Sequence, residues 1–420
     1  MFAFQRRFMF FFAVLLIALT SAASRAEEKY NGSPGDIMLQ GFHWTSSRSQ
    51  NPSWYKIVAD NAQAIQNAKF DVVWLPPPSR TVDQQGYMPT QWEKLDSKYG
   101  TEAELTAAIS ALKGSDAAHP KLRVLADIVL NHRNGTGGAG ADFSDPAFAD
   151  NEKAVVLEDD CQCVPKGHHD TGTGFGGSRD LDHEEPDVRA KVKGWLKFLN
   201  DKGFDGWRYD MVKGYAGRFI REYNDDSEPY LSVGEYWDDD RQLVINWIDA
   251  TGGRSMAFDF PTRKLLVDAV RFENYSVLKT VDGKPTGAIG WWPAMSVTFI
   301  DNHDVEKDHF NQEFPGGKEL QGYCYILTHP GTPCVFWTHY FDWGNDNKQK
   351  LQELIDVRKS KKLNHKSVVN IVEASSGADG KYAAIIDNDV AMKIGPGSWT
   401  PPGAGWNLKT SGEKYAVWAK

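Results

Sequence analysis

Short apolar runs alternate with amphipathic stretches about eight times over roughly 320 residues, and few architectures accept that order. Asp36 to Phe42, Val72 to Leu75, Arg123 to Leu130, Gly206 to Asp210, Leu231 to Glu235, Ala257 to Phe260, Ser296 to Ile300 and Thr332 to Phe336 read as strands. Trp54 to Lys69, Glu102 to Leu112, Asp187 to Leu199, Gly217 to Tyr223, Lys318 to Thr328 and Asn347 to Lys359 read as helices. Parallel strands joined by crossover helices follow, and the count fits a closed (β/α)8 barrel with insertions. The alternative is a doubly wound open sheet. Such a sheet usually carries a Gly-rich phosphate turn after its first strand, where this chain has Gln40-Gly-Phe-His-Trp44.

Two segments break the alternation. More than fifty residues rich in Gly, Asp and His separate the strand ending near Leu130 from the helix beginning near Asp187, too many for a loop, so a small inserted domain is expected there. From Lys361 onward the runs shorten to Tyr382–Ile386, Val390–Ile394 and Tyr415–Trp418, divided by Gly and Pro, which predicts a small antiparallel sheet. The expected division is a leader over 1–26, barrel over 27–132, an insertion over 133–182, barrel again over 183–360 and a C-terminal β-sheet domain over 361–420.

The leader is inferred from Arg6 and Arg7, the apolar run Phe8 to Leu19 and small residues up to Ala26, the three-part pattern of a secretory signal peptide. The mature chain then begins near Glu27 and is secreted, to the extracellular space or the periplasm. No later stretch is long and apolar enough to span a bilayer, so the mature form is expected to have no membrane partner. The formal net charge of -9, without a basic cluster, argues against nucleic acid and anionic membrane surfaces as partners but leaves a neutral polymer open. Fifteen Trp and 12% aromatic residues exceed what a core needs, and rings stacking on sugar faces would use the surplus. Of the four cysteines, Cys324 and Cys334 sit in apolar runs and read as buried free thiols. Cys161 and Cys163 are one residue apart in a polar loop, where a bridge would be strained, and they make a zinc site only if His168 and His169 join them.

In a barrel, chemistry gathers at the C-terminal ends of the strands. Asn131-His132 follow the third strand, Arg208 and Asp210 end the fourth, Glu235 ends the fifth, and Asp301-Asn-His-Asp304 follow the seventh. Side chains two apart on a strand share a face, so Arg208 stands beside Asp210 and is expected to lower its pKa, which suits a nucleophilic anion. Taken alone, the pair is also consistent with an ordinary surface ion pair. Glu235 follows apolar residues and precedes Tyr236 and Trp237, surroundings that raise a pKa and suit a general acid. Two carboxylates with roles separated in this way are what glycosidic bond hydrolysis requires.

The segments Asp127-Ile-Val-Leu-Asn-His132, Gly206-Trp-Arg-Tyr-Asp210, Gly234-Glu-Tyr-Trp237 and Phe299-Ile-Asp-Asn-His-Asp304 resemble the four ordered motifs of the α-amylase family of glycoside hydrolases. Within it the chain looks most like the plant-type α-amylases, through Gln84-Gln-Gly-Tyr-Met-Pro89, Gly290-Trp-Trp-Pro293, His329-Pro-Gly-Thr-Pro-Cys334 and Tyr415-Ala-Val-Trp418. The resemblance covers essentially the whole mature chain. It implies a TIM barrel with a domain B inserted after the third strand and a C-terminal β-sheet domain. It also implies Asp210 as nucleophile, Glu235 as general acid and base, and Asp304 as the carboxylate that stabilises the transition state. His132 and His303 would hydrogen-bond sugar hydroxyls, Tyr87 would stack beneath the cleaved unit, Arg208 would hold Asp210 ionised, and Lys213 would contact the sugar on the leaving side.

The same resemblance implies a Ca2+ ion near the cleft, held by the side chains of Asn131, Asp170 and Asp180 and the backbone oxygens of Thr173 and Gly214. The segment Asp170 to Asp180 matches the plant-type calcium segment in length. An all-oxygen set suits a hard cation. Gly174 stands where that pattern often has an acid, and Val305-Glu306-Lys307 departs from the plant-type continuation. The implied activity is retaining hydrolysis of internal α-1,4-glucosidic bonds in starch-like glucans by a secreted monomer. The alternatives are a maltooligosaccharide-forming or transglycosylating relative and a non-enzymatic glucan-binding protein; the latter should have lost a catalytic carboxylate, and all three are present.

Overall fold

The computed structural model of the 420-residue chain describes residues 27–116, 121–136, 142–159 and 163–420. The expected leader and Cys161 lie outside the described residues. Eight parallel strands close into a barrel: β1 (Met38–Gln40), β2 (Val72–Trp74), β3 (Arg123–Ile128), β4 (Gly206–Tyr209), β5 (Ser232–Gly234), β6 (Met256–Phe258), β7 (Ser296–Thr298) and β8 (Thr332–Phe336). Each pairs with its sequence neighbours, and β1 closes the ring on β8 with Met38 opposite Cys334 and Leu39 opposite Val335. Every strand except the first residue of β3 is buried along its length, which is why these strands read as short, mostly apolar runs rather than as strict apolar–polar alternation.

The outer ring holds α1 (Trp54–Asn67), α2 (Glu102–Lys113), α3 (Pro186–Asp201), α4 (Gly217–Ser227), α5 (Arg241–Ala250), α6 (Phe260–Phe272), α7 (Glu319–Thr328) and α8 (Asn345–Ser360). Local chemistry sets their ends. Thr101 and Glu104 form a reciprocal capping box that starts α2, and Gly114 at φ 76° follows its last residue. Asp259 accepts from Thr262 N at 2.9 Å and caps α6. Phe260, read from sequence as the end of a strand, is therefore the first residue of a helix.

The C-terminal sheet has five antiparallel strands, two more than expected: β9 (Val369–Ala374), β10 (Tyr382–Ile386), β11 (Val390–Ile394), β12 (Asn407–Gly412) and β13 (Tyr415–Ala419), in the order β9-β10-β11-β13-β12. It is joined to the barrel through α7 and α8, by Thr410 Oγ1 donating to Glu353 Oε2 at 2.6 Å and by Tyr382 OH meeting the His329 ring at 2.8 Å.

A short ribbon at the base of the insertion matters for the site. The chain leaves β3 through His132–Arg133 and returns through Arg179–Asp180, and the two segments pair antiparallel with His132 opposite Asp180. This pairing brings Asn131 and Asp180 together across some fifty residues of sequence. Cys324 and Cys334 are buried free thiols, as expected. Cys163 is disulfide-bonded, which corrects the expectation drawn from spacing. The segment carrying it belongs to no helix or strand, so no ladder fixes where its Cβ points. His168 bonds Asp182 at 2.7 Å and His169 bonds Glu158 at 2.6 Å, so each histidine has a carboxylate partner.

Candidate active site

The C-terminal ends of the strands open into a cleft of about 450 Å³ lined by Tyr87, His132, Asp210, Lys213, Glu235 and Asp304 together with Trp44, Met88, Thr173, Phe175, Met211, Trp237, His309 and Phe310. At its floor lies Arg208, 1 % exposed. Strand register explains its partners: Asp127 on β3 sits opposite Arg208 on β4, and Asp210 follows two residues later on the same face. Arg208 Nη1 donates to Asp127 Oδ1 at 2.7 Å and to Asp210 Oδ1 at 2.8 Å, while Nη2 lies 2.9 Å from Glu235 Oε2. One guanidinium thus holds three carboxylates, and the pair read from sequence is a buried hub rather than a surface ion pair.

Burial, not the guanidinium, decides the direction of the pKa shifts. Removal from water pushes Asp210 up to about 6 despite the opposing pull of Arg208, which corrects the expectation that the pair lowers it. Glu235 is pushed further, to about 7, again by burial, with Arg208 opposing and the negative charge of Asp210 adding. Asp127 is raised to about 6 by burial, and Asp304 lies well above the carboxylate range through burial and the charge of Glu235. Three acids share one cation and a fourth, Asp304, lies in the same cleft, so some of their protons stay on near neutrality. Asp210 and Glu235 titrate as a pair on one guanidinium, and the raised affinity for protons lets one of them be an anion while its partner keeps a proton.

A second network surrounds the hub. Tyr87 OH donates to Asp127 Oδ2 at 3.0 Å and accepts from His303 Nε2 at 2.6 Å, which leaves His303 Nδ1 to accept from the Gln40 amide at 2.9 Å. Burial holds this imidazole neutral, its pKa far below the usual value. His132 is neutral for the same reason, pushed down to about 4. Both of its ring nitrogens have protein partners: Nε2 donates to the Tyr87 carbonyl at 2.8 Å, and Nδ1 lies 3.2 Å from Asn131 Nδ2. Neither histidine therefore offers a free donor in this arrangement. Lys213 Nζ reaches the cleft wall while bonded to Asp238 at 2.7 Å.

The five residues expected to hold a metal converge beside this cleft. Asn131 Nδ2 donates to Asp180 Oδ1 at 2.9 Å, and Asn131 Oδ1 is buried with no hydrogen-bond partner. Gly214 is pressed against that oxygen: a Cβ there would lie 1.6 Å from it. Thr173 N donates to the Lys213 carbonyl at 2.9 Å, which fastens the Asp170–Thr173 turn to the Lys213–Gly214 backbone. A Cβ on Gly174 would lie 3.1 Å from Asp180 Oδ2 and 3.9 Å from Asp170 Oδ2, so both carboxylates flank it. Burial and the charges of Asp159 and Asp170 push Asp180 up to about 7. An orphaned buried oxygen beside crowded carboxylates fits a hard cation. Among the described residues no three His, Cys, Asp or Glu side chains form a metal cluster; this set draws on only two carboxylates.

Several contributors were not singled out from sequence. Asp127 is one, although an Asp inside the apolar run Val124 to Leu130 was a visible anomaly. Asp83 is another: its Oδ2 accepts from Gln85 N, Gly86 N and Tyr87 N at 3.0 to 3.1 Å, shaping the loop that carries Tyr87. Trp44, Trp237, His309, Phe310 and Phe175 line the cleft from loops. Much of the Trp surplus is core: eight of the fifteen, Trp54, Trp74, Trp92, Trp195, Trp207, Trp247, Trp292 and Trp337, are buried.

Comparison with known proteins bears on this geometry. Residues 360–419 match the family described as the α-amylase C-terminal β-sheet domain. The chain is 38% identical over 405 residues to the probable alpha-amylase 2 of Arabidopsis thaliana, covering 92% of this chain and 94% of that protein. It is 29% identical over 410 residues to a glucan 1,4-alpha-maltotetraohydrolase of Stutzerimonas stutzeri, covering 87% of this chain and 70% of that one. Its fold is similar to that of the alpha-amylase of Geobacillus thermoleovorans, with a TM-score of 0.67 at 14% identity over 93% of this chain and 99% of that one. An eight-stranded barrel, a cleft of carboxylates at its strand ends and a relative alignable along nearly the whole of both chains lead to one assignment: the chain belongs to the α-amylase family and is a glycoside hydrolase with amylase activity.

Proposed function

We propose that the protein is a secreted, endo-acting α-amylase that hydrolyses internal α-1,4-glucosidic bonds of starch, glycogen and maltodextrins with retention of configuration. The observation that carries this reading is the sharing of Arg208 by Asp210 and Glu235 at the cleft, with burial raising both carboxyls so that an anion and a proton can coexist on the pair. In the proposed mechanism Asp210 attacks the anomeric carbon as an anion while Glu235 gives its proton to the departing glycosidic oxygen. The glycosyl–Asp210 ester is then hydrolysed by a water whose proton Glu235 takes back, so two inversions give net retention. Asp304 lines the same cleft with its carboxyl raised by burial and by the charge of Glu235; the developing positive charge of an oxocarbenium-like ring beside it would favour its ionised form and be stabilised by it. Tyr87 offers its ring beneath the cleaved unit, Lys213 a charged donor on the leaving side, and His132 and His303 shape the floor.

Asn131, Asp170, Thr173, Asp180 and Gly214 would hold a calcium ion, whose chemistry is to neutralise the crowded carboxylates and tie domain B (133–182) to the barrel. Secretion rests on the leader pattern over 1–26; among the described residues no helix is long and apolar enough to cross a membrane. The test is the time course of products from soluble starch, by wild type and by Asp210→Asn. A mixed ladder of oligosaccharides formed early by wild type and not by the variant is expected. A single short product from the first minutes would instead favour a maltooligosaccharide-forming enzyme, the reading suggested by similarity to a maltotetraohydrolase.

A further inference from the structure

The stretch Val305 to Lys307, which follows Asp304 directly, has no part in the mechanism above. Glu306 nevertheless joins three loops at the barrel mouth. Its Oε2 accepts from Trp44 N at 2.7 Å, and its Oε1 accepts from Thr338 Oγ1 at 3.4 Å. Its carbonyl oxygen accepts from His309 N at 2.9 Å and from Asn311 N at 3.0 Å. The loops after β1, β7 and β8 therefore meet on one residue that does not itself line the cleft.

The rings carried by these loops form a continuous row. Trp44 and His309 stack with centroids 3.6 Å apart and planes within 9°, His309 and Phe310 stack at 3.9 Å, and Phe310 meets Trp237 edge-on at 5.6 Å. All four rings line the cleft, next to Asp304 and Glu235. His309 Nε2 lies 3.5 Å from Asp304 Oδ1, so the row begins at the third carboxylate. Phe310 is 51 % exposed, whereas most of the described aromatic side chains are buried or half-buried. A large apolar ring left in water on a cleft wall forgoes its own burial, and the faces of pyranose rings are the apolar surfaces that an α-glucan can bring to it.

We propose that Glu306 is a positioning residue for glucan binding: it holds the Trp44–His309–Phe310 row so that Phe310 presents an apolar face to a glucosyl unit beyond the three carboxylates. The proposal rests on the α-glucan reading given above. It is tested on the full mature chain with Glu306→Ala, Glu306→Gln and Phe310→Ala, measuring kcat, KM and bond-cleavage pattern on maltoheptaose, with melting temperature alongside. Glu306→Ala and Phe310→Ala should each raise KM by about two- to tenfold, the range of a single ring contact, and move the cleavage pattern in the same direction. Glu306→Gln keeps an acceptor for Trp44 N and should restore both. The proposal is overturned if Glu306→Ala lowers the melting temperature but leaves KM and pattern as in wild type, or if Phe310→Ala changes neither. A wild-type protein that leaves maltoheptaose intact would refute the α-glucan reading itself, an outcome distinct from either of these.

Discussion

Arg208→Met tests the electrostatic reasoning most directly. The substitution keeps much of the side-chain volume and deletes the cation that contacts Asp127, Asp210 and Glu235. A hydrogen bond from a charged donor contributes about 1.5–3 kcal/mol, and one pKa unit corresponds to about 1.4 kcal/mol, so each carboxylate should rise by roughly one to two units. In wild type, activity requires Asp210 ionised and Glu235 protonated. The pH profile of kcat/KM should therefore rise as pH passes about 6 and fall as it passes about 7, a narrow bell. In Arg208→Met both limbs should move to higher pH by about one to two units, and the rate at pH 6, where wild type is about half ionised at Asp210, should fall by about 5- to 50-fold. Breaking a buried ion pair costs about 3–5 kcal/mol, moderated here because the acids can take up protons, so the melting temperature should also drop. Near-UV circular dichroism establishes that the variant is folded, and initial rates from pH 4 to 9 give the profile. A folded Arg208→Met enzyme whose acid limb stays near pH 6 would refute the claim that this guanidinium opposes burial at Asp210.

Other consequences are simpler to check. Asp210→Asn and Glu235→Gln should each lower starch hydrolysis by about 10⁴-fold or more while the chain stays folded, measured by reducing-sugar release and circular dichroism; full activity in either variant would remove that residue from the mechanism. Chelation should lower both melting temperature and activity, with calcium restoring them, and an unchanged melting curve would argue against the proposed site. Gly214→Ala should mimic chelation and blunt any further effect of it, since the added Cβ would sit 1.6 Å from Asn131 Oδ1. The thiols of Cys324 and Cys334 are raised by burial, Cys334 to about 12, so the native protein should not react with iodoacetamide at pH 8 and should take up two equivalents after unfolding.

The barrel was legible because its strands are buried on both faces and write short, mostly apolar runs, broken at Asp127 and Arg208 where the hub of the site sits. β9 and β12 were not, for a local reason. Each carries a register shift, between Ile371 and Glu373 and between Leu408 and Thr410, and a shift of one residue breaks the two-residue alternation that marks a strand. The three acids at the strand ends were also legible, because position in a barrel narrows what an acid there can do. The net sign of the Asp210 shift was not, since it depends on how completely the surrounding loops exclude water. The partners of His132 were hidden too: the Tyr87 carbonyl that occupies its Nε2 comes from a loop forty-five residues away, folded by Asp83. The same holds for the ring row, where Trp44 and His309 stack only because the loops after β1 and β7 meet.

Closure of the barrel by β1 on β8 has a kinetic side. Met38 pairs with Cys334 across roughly 300 residues. At about 5–20 residues per second of synthesis, the first strand waits some 15–60 s for its last neighbour to be made. Throughout that interval the apolar Ile37–Leu39 segment has one unsatisfied edge, so agents that act on nascent chains meet this protein as an open sheet, and the yield of active enzyme should depend on how that edge is kept from other chains.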